Sequence, residues 1–142
     1  MFGFAAADVD QRWMTIHSRS VGGITILDLE GRLTVHGGAA TLHDAVRRLT
    51  SLGLVNLLIN LQSVSYIDGT ALCELVWACT IVGQQGGALK LLKPTTRFRN
   101  LLEAMRLSSA FEIYDVEELA VESFAPRARA EQPRPIARRP EL

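Results

Sequence analysis

The segment that decides the fold lies in the middle of the chain and reads VSYIDGTALCELV, residues 64–76. It begins as the end of a buried strand, and its last residues place Leu72, Leu75 and Val76 on one face of a helix. Between these two parts, Asp-Gly-Thr at residues 68–70 predicts a short loop that opens the helix. A strand that passes through a short loop into a helix is typical of α/β domains.

Strand patterns flank this segment on both sides. Residues 24–30 alternate apolar and polar side chains over most of their length, which predicts a strand covered on one face. Residues 55–61 are apolar on one face and mixed on the other, which favours a central strand. Gly22-Gly23 suits the turn of a β-hairpin. The predicted strands lie at residues 13–18, 24–30, 55–61, 88–92 and 111–114.

Helical patterns separate these strands. Residues 39–52 repeat apolar side chains at helical spacing, namely Leu42, Ala45, Val46 and Leu49. The other predicted helices lie at residues 70–83, around 98–105 and at residues 116–124. The order ββαβαβαβα predicts the α/β class, with a small mixed β-sheet and helices packed against it.

Composition divides the 142 residues into one domain and two terminal segments. We predict a flexible N-terminus at residues 1–12, a folded domain at residues 13–124 and a disordered Pro/Arg-rich tail at residues 125–142. The tail holds five arginines against two glutamates, a charge of +3, and the whole chain balances 15 basic with 15 acidic residues. The rest of the chain is therefore acidic, with a charge of −3.

This composition excludes several classes of protein. An acidic body lacks the basic footprint of a nucleic-acid binder, and two cysteines cannot form a disulfide framework. The longest uncharged run, residues 49–67, contains too many polar side chains for a membrane span. The N-terminus has no basic region before an apolar stretch, so it does not resemble a secretory signal. We expect a cytoplasmic protein.

The start of the helix at residues 70–83 has two interpretations. Asp68 or Thr70 can act as its N-cap, with a side-chain oxygen that accepts hydrogen bonds from free amides of the first turn. The same free amides and the positive end of the helix dipole would also favour a phosphate attached there. From the residues alone, Thr70 is either a cap or the site of an attached anion.

The stretch from Val21 to Phe124 resembles a STAS domain, the module of anti-sigma factor antagonists. The similarity rests on an ordered set of short motifs rather than on any one of them. In chain order they are ILDLEGRL (26–33), LLINL (57–61), VSYID (64–68), GGALKL (86–91) and FEIY (111–114). A first helix lies between the first two motifs, and an acidic helix follows the last.

The family's signature at the loop is Asp-Ser-Ser/Thr-Gly-Leu, and a partner kinase phosphorylates its second hydroxyl residue. Asp68, Thr70 and Leu72 match the Asp, the phospho-acceptor and the Leu. Gly69 replaces the first Ser, and Ala71 replaces the Gly. The resemblance therefore implies that Thr70 is the phosphorylation site and the only acceptor in the loop.

The resemblance also implies a function without catalysis and without a cofactor. Unphosphorylated, the protein would bind an anti-sigma factor that is a serine/threonine kinase, and phosphorylation of Thr70 would release it. A metal-dependent phosphatase would reset this partner switch. The implied contact residues are Asp68, Gly69, Thr70, Ala71, Leu72 and Cys73. The alternative is an unphosphorylated STAS adapter subunit of a membrane transport complex, which the substitutions at Gly69 and Ala71 leave open.

Other candidate sites receive little support from the sequence. Cys73 and Cys79 lie six residues apart on one helix and lack metal-ligand spacing, so we expect buried thiols. His36 precedes Gly37-Gly38 without a serine nucleophile motif, and no general base or metal set accompanies Asp68. We predict no catalytic residues and no metal site.

The helix at residues 70–83 has an apolar face outside its core stripe. No charged residue lies between Glu74 and Lys90, and Trp77 and Ile81 fall off the stripe. An exposed apolar face marks an interface, and here it suggests a homodimer. The alternative is that Trp77 packs under the final helix.

Overall fold

The computed structural model describes residues 14–35 and 37–131. These residues form five strands and four helices in the predicted order. In chain order they are β1 Met14–Val21, β2 Ile24–Leu33, α1 Gly38–Ser51, β3 Asn56–Ile67, α2 Gly69–Gln84, β4 Ala88–Leu92, α3 Thr96–Ala104, β5 Ile113–Tyr114 and α4 Glu117–Glu131. The predicted N-terminal segment 1–12, Trp13, His36 and residues 132–142 lie outside the described part of the chain.

The strands form one mixed sheet in the order β1-β2-β3-β4-β5. β1 pairs with β2 in antiparallel orientation, and the remaining neighbours are parallel. The antiparallel pair is a tight hairpin in which Gly22 and Gly23 take φ values of 60° and 83°, a backbone region that glycine enters without steric cost. The predicted fold class is confirmed.

β3 is one continuous strand from Asn56 to Ile67. It joins the predicted strand at residues 55–61 to the strand end predicted just before Asp68, and its second half pairs with the second half of β2. Two register shifts interrupt this pairing, after Asp28 and after Gly31. A bulge inserts an extra residue and breaks the period of two, so the polar residues 62–63 did not indicate a strand.

The front face of the sheet carries the larger core. The side chains of β2, β3 and β4 that point to this side pack against α1, α2 and α3, and most of them are fully buried. Examples are Leu27, Ile59 and Leu91 from the sheet, with Leu72 and Phe98 from the helices. Because burial of one such side chain contributes about 1.5–3 kcal/mol, this layer supplies most of the stability of the domain.

α4 covers part of the back face. Ala120 and Phe124 pack on Ile26, Leu58 and Leu92 and form a second, smaller core. Towards the ends of β2 and β3 the side chains of this face are polar and exposed.

One charged side chain is buried in the second core. Lys90 is 1% exposed, and its Nζ donates to the Ser123 hydroxyl at 2.9 Å and lies 3.1 Å from a Glu112 carboxylate oxygen. The Phe124 ring lies 4.6 Å from the same ammonium group. These partners satisfy the charge that burial would otherwise make costly.

The start of α4 is fixed by an ion-pair network, which consists of Arg19, Asp28, Asn60 and Glu117. The Arg19 guanidinium donates to both Asp28 oxygens at 2.6 and 3.2 Å and to both Glu117 oxygens at 2.8 and 2.9 Å. Asn60 also donates to Asp28, at 2.8 Å. The hydrogen bonds from Arg19 hold the pKa of Asp28 and that of Glu117 below their ordinary values, although partial burial acts in the opposite direction.

α4 runs beyond its predicted end. The sequence predicts that end at Phe124, because Pro126 and a proline-rich composition follow. The helix instead continues to Glu131, and residues 127–131 are Arg-Ala-Arg-Ala-Glu, all good helix formers. The predicted disordered tail at residues 125–142 therefore overlaps the helix over residues 125–131.

In the described residues, no helix combines the length and the apolar character needed to cross a membrane.

Candidate functional site

The segment predicted to carry the function lies at the carboxyl edge of the sheet. β3 ends at Ile67, Asp68 follows, and α2 begins at Gly69. The backbone N–H of Asp68 donates to the Leu33 carbonyl at 3.2 Å, which ties the end of β3 to the end of β2. The loop is therefore held on a rigid part of the fold.

Asp68 is the N-cap of α2. One carboxylate oxygen accepts from the Ala71 N–H at 2.9 Å, and the other accepts from the Val35 N–H at 3.0 Å. The structure thus decides between the two cap candidates in favour of Asp68. Because both oxygens are engaged, Asp68 positions the loop that follows β2 as well as the first turn of α2.

Thr70 is exposed in the first turn of α2. Its hydroxyl forms no hydrogen bond with any residue that the structure describes, and the first turn of α2 contains no acidic side chain. A hydroxyl at this position is open to a modifying enzyme. The free N–H groups and the positive helix end beside it would stabilise an attached phosphate.

Gly69 leaves room for a side chain. A Cβ built on this residue would lie 3.7 Å from the Met105 sulfur, an ordinary contact distance. The backbone of Gly69 does not require glycine either, because its φ is not positive. The serine that the family signature has at this position would therefore fit.

The six predicted contact residues divide into two groups. Ala71 and Leu72 are 0% exposed and belong to the front core, so their side chains cannot reach a partner. Thr70 and Cys73 are exposed, and Asp68 and Gly69 are half-buried. The methyl group of Ala71, which replaces the family's glycine, points into the core and leaves the outer surface unchanged.

The two cysteines differ in exposure. The expectation of two buried thiols is wrong for Cys73, which is exposed one helical turn after Thr70. Cys79 is half-buried, and burial raises the pKa of its thiol. The six-residue spacing turns the two side chains in different directions, as predicted.

Trp77 packs on α1 rather than under the final helix. Its ring stacks on His43 with centroids 4.0 Å apart and planes inclined by 19°. His43 Nδ1 lies 2.8 Å from a Glu74 carboxylate oxygen. Trp77 and Ile81 remain partly exposed along a groove between α1 and α2, and the predicted homodimer contact through this helix stays a prediction.

Sequence reasoning missed a cluster beside the loop. Tyr66 lies near the end of β3, and the guanidinium carbons of Arg32 and Arg97 lie 4.8 and 5.6 Å from its ring centre. We call these three residues the arginine–tyrosine cluster. They come from β2, β3 and α3, so no spacing along the chain could have revealed them.

The described residues contain no group of three or more His, Cys, Asp or Glu side chains that could hold a metal ion. His36, the first residue of the His-Gly-Gly segment considered in the sequence, lies outside the described part.

These features describe a small α/β domain with an exposed hydroxyl at a capped helix start. The model of the STAS domain family matches residues 15–120, and the chain belongs to that family. The resemblance seen in the sequence is thereby confirmed. No curated protein matches the chain.

Solved structures share the fold at low sequence identity. An anti-sigma factor antagonist from Mycobacterium paratuberculosis superposes with a TM-score of 0.70 at 17% identity, over 79% of this chain and 94% of that one. The Bacillus cell fate determinant SpoIIAA in its phosphorylated form gives 0.62 at 16% identity, over 77% and 98%. The murine anion transporter Slc26a9 gives 0.64 at 10% identity, over 86% of this chain and 24% of the transporter.

Proposed function

We propose that this protein is an anti-sigma factor antagonist and works as a phosphorylation-controlled partner switch. It acts by binding, not by catalysis. Unphosphorylated, it binds an anti-sigma factor kinase through the start of α2, namely the half-buried Gly69 and the exposed Thr70 and Cys73. Binding sequesters the kinase and frees a sigma factor.

The exposed hydroxyl of Thr70 is the observation that carries this proposal. It stands at the position of the family's phospho-acceptor, and it forms no hydrogen bond with any described residue. Asp68 holds the turn in place from two sides, so a kinase meets a preformed target. Membership of the STAS family and the fold shared with anti-sigma factor antagonists give further support.

Phosphorylation would change charge more than structure. The γ-phosphoryl group of ATP passes to the Thr70 oxygen, ADP leaves, and the hydroxyl proton goes to a base of the kinase. The product carries a charge of about −1.5 to −2 where the bound complex encloses a neutral hydroxyl. This charge would release the kinase, and a metal-dependent phosphatase would remove it. The Thr70 side chain points away from the core, so the fold should tolerate the modification.

The direct test is labelling by a kinase. The anti-sigma factor kinases of the same organism are purified and each is incubated with this protein and ATP, and the products are read by mass spectrometry. We expect one phosphate on Thr70 and none on the Thr70→Ala variant. Thr80→Ala is the matched control, because Thr80 is exposed on the same helix with its hydroxyl bonded to the Val76 carbonyl. Undiminished labelling of Thr70→Ala would refute the proposed site.

A second test separates binding from stability. Thr70→Glu should weaken kinase binding by about tenfold, a smaller effect than phosphate, because a carboxylate carries less charge. The same substitution should keep or slightly raise the melting temperature, because an acidic residue near a helix start is favourable by about 0.3–1 kcal/mol. Calorimetric titration and thermal melting measure the two effects. Unchanged affinity would argue against the switch.

The second candidate function is that of a STAS adapter in a membrane transport complex. The fold shared with part of an anion transporter favours it, as does the loop's departure from the family signature at Gly69 and Ala71. This function requires no phosphorylation of Thr70. Co-purification with a permease or its ATPase, without any phosphate on Thr70, would establish it over the first.

A further inference from the structure

The arginine–tyrosine cluster concentrates positive charge on the surface. Two guanidinium groups converge on one ring, which is itself 37% exposed. Both arginines are exposed as well. Each guanidinium group is attracted to the face of the ring, but the two like charges repel one another.

In the part of the chain that the structure describes, no carboxylate lies at salt-bridge distance from either guanidinium group. Arg19 and Arg99, by contrast, are each paired with carboxylates at 2.6–2.8 Å. Neither Arg32 nor Arg97 forms a salt bridge with a described residue. An anion brought to the cluster would therefore remove a repulsion as well as add an attraction.

The cluster lies beside the loop that carries Thr70. Arg32 and Tyr66 are register partners on β2 and β3, each one residue from the end of its strand. The next residue of β2, Leu33, accepts the backbone hydrogen bond of Asp68. Arg97 lies in the first turn of α3, which begins shortly after the end of β4 at the same edge of the sheet. The cluster and the start of α2 thus lie at the same carboxyl edge of the sheet.

The chemistry of the three side chains indicates the kind of ligand. Arginine and tyrosine are enriched among the residues that dominate protein–protein binding energy. A guanidinium fork matches a carboxylate in a bidentate geometry that lysine cannot reproduce. Two such groups beside an exposed ring suit a short segment that carries carboxylates.

We propose that the arginine–tyrosine cluster docks an acidic segment of the anti-sigma factor kinase while the start of α2 meets its catalytic region. This inference rests on the proposed function and adds the part of the partner that is recognised. The cluster would contribute to affinity and to the association rate through charge, and Thr70 would contribute the switch.

The test compares charge removal at the cluster with charge removal elsewhere. The kinase that labels Thr70 is titrated with wild type, Arg32→Gln, Arg97→Gln and the double variant at several salt concentrations. We expect the double variant to bind at least about tenfold more weakly near 0.1 M salt and to show a shallower salt dependence. Arg48→Gln is the matched control, since Arg48 is exposed on α1 and its loss should change affinity less than twofold.

One further variant and a check of folding keep the outcome interpretable. Arg97→Lys should retain the salt dependence but lose part of the affinity, because it keeps the charge without the fork. Thermal melting shows whether each variant is folded. If Arg32→Gln fails to fold, the α3 variant Arg97→Gln carries the test alone, with an expected loss of about threefold or more.

The outcomes distinguish this inference from the proposed function. If Thr70→Glu weakens kinase binding but the double arginine variant binds as tightly as wild type, the docking site is overturned and the switch remains intact. The double variant could instead lose adsorption to phosphatidylglycerol vesicles while its affinity for the kinase stays unchanged. That result would assign the cluster to a membrane surface and would also overturn the docking site. If no kinase binds the wild type, both proposals fall.

Discussion

Two clusters on the same pair of strands use arginine in opposite ways. In the ion-pair network, one guanidinium lies between two carboxylates, and α4 is fixed to the sheet. In the arginine–tyrosine cluster, a few residues further along β2 and β3, two guanidinium groups face an exposed ring, and no described carboxylate pairs with them. The strands are shared, but only one of the clusters has its charges satisfied within the domain.

The comparison separates stability from recognition. A charge that the fold itself pairs contributes to the folded state, and its removal leaves partners without bonds. A charge that the fold leaves unpaired contributes little to stability and is available to another molecule. Substitutions in the two clusters should therefore affect different measurements.

The largest expected effect on stability is that of Asp28→Ala. It leaves Asn60 without its acceptor and removes one of the two carboxylates bound to Arg19. We expect a loss of about 1.5–3 kcal/mol in the free energy of unfolding, measured by urea denaturation. Arg32→Gln should change it by less than about 0.5 kcal/mol. Equal losses in the two variants would remove the distinction between the clusters.

A smaller loss is expected from Asp68→Ala, which removes the cap of α2 and the bond to the Val35 N–H. The cap contributes about 1 kcal/mol, and Asp68→Asn should recover most of it because an amide oxygen still accepts. Urea denaturation of wild type, Asp68→Asn and Asp68→Ala should give free energies of unfolding that decrease in this order. An Asp68→Ala variant as stable as wild type would show that the loop is not held by this side chain.

The pH dependence of stability should also report on the ion-pair network. Because the pKa values of Asp28 and Glu117 are lowered in the folded protein, their contribution is fully present above the unfolded values and is lost as the pH falls through the folded ones. The melting temperature of wild type should therefore fall more between about pH 5 and pH 3 than that of Asp28→Ala. Parallel curves for the two proteins would contradict this.

The smallest effect is expected from Gly69→Ser. The added Cβ meets only Met105, at an ordinary contact distance, so the melting temperature should change by no more than about a degree or two. The substitution restores a second hydroxyl to the loop, and mass spectrometry after kinase treatment should still place the phosphate on Thr70. A shift of the phosphate to the new serine would mean that Thr70 is not uniquely placed.

Local patterns predicted most of the fold. The order of strands and helices, the hairpin at Gly22-Gly23 and the start of the α2 segment follow from the periodicity of side chains and from turn residues. The errors lie where periodicity fails. A bulged pairing interrupts the strand pattern of β3 at residues 62–63, and the proline-rich composition gave no sign of the helix that continues past Phe124.

The candidate site was predicted as a segment but not as a surface. The sequence placed Asp68 and Thr70 at a helix start, and it could not tell which of them caps the helix. It also grouped Ala71 and Leu72 with the contact residues, although both are fully buried. Which residues of one helical turn face outward depends on where the sheet lies, and residue types alone do not state this.

The α/β class, the family resemblance and the position of the hydroxyl that we propose as the switch could all be predicted from the amino-acid sequence. Each of these depends on residues close together in the chain, where spacing and local hydrogen bonding act. Only the tertiary structure brought Arg19 of β1 to Glu117 of α4 and brought Arg97 of α3 to Tyr66 of β3. Contacts of this kind join distant residues through strand order, register and helix packing, because whole elements must be placed before two side chains can meet.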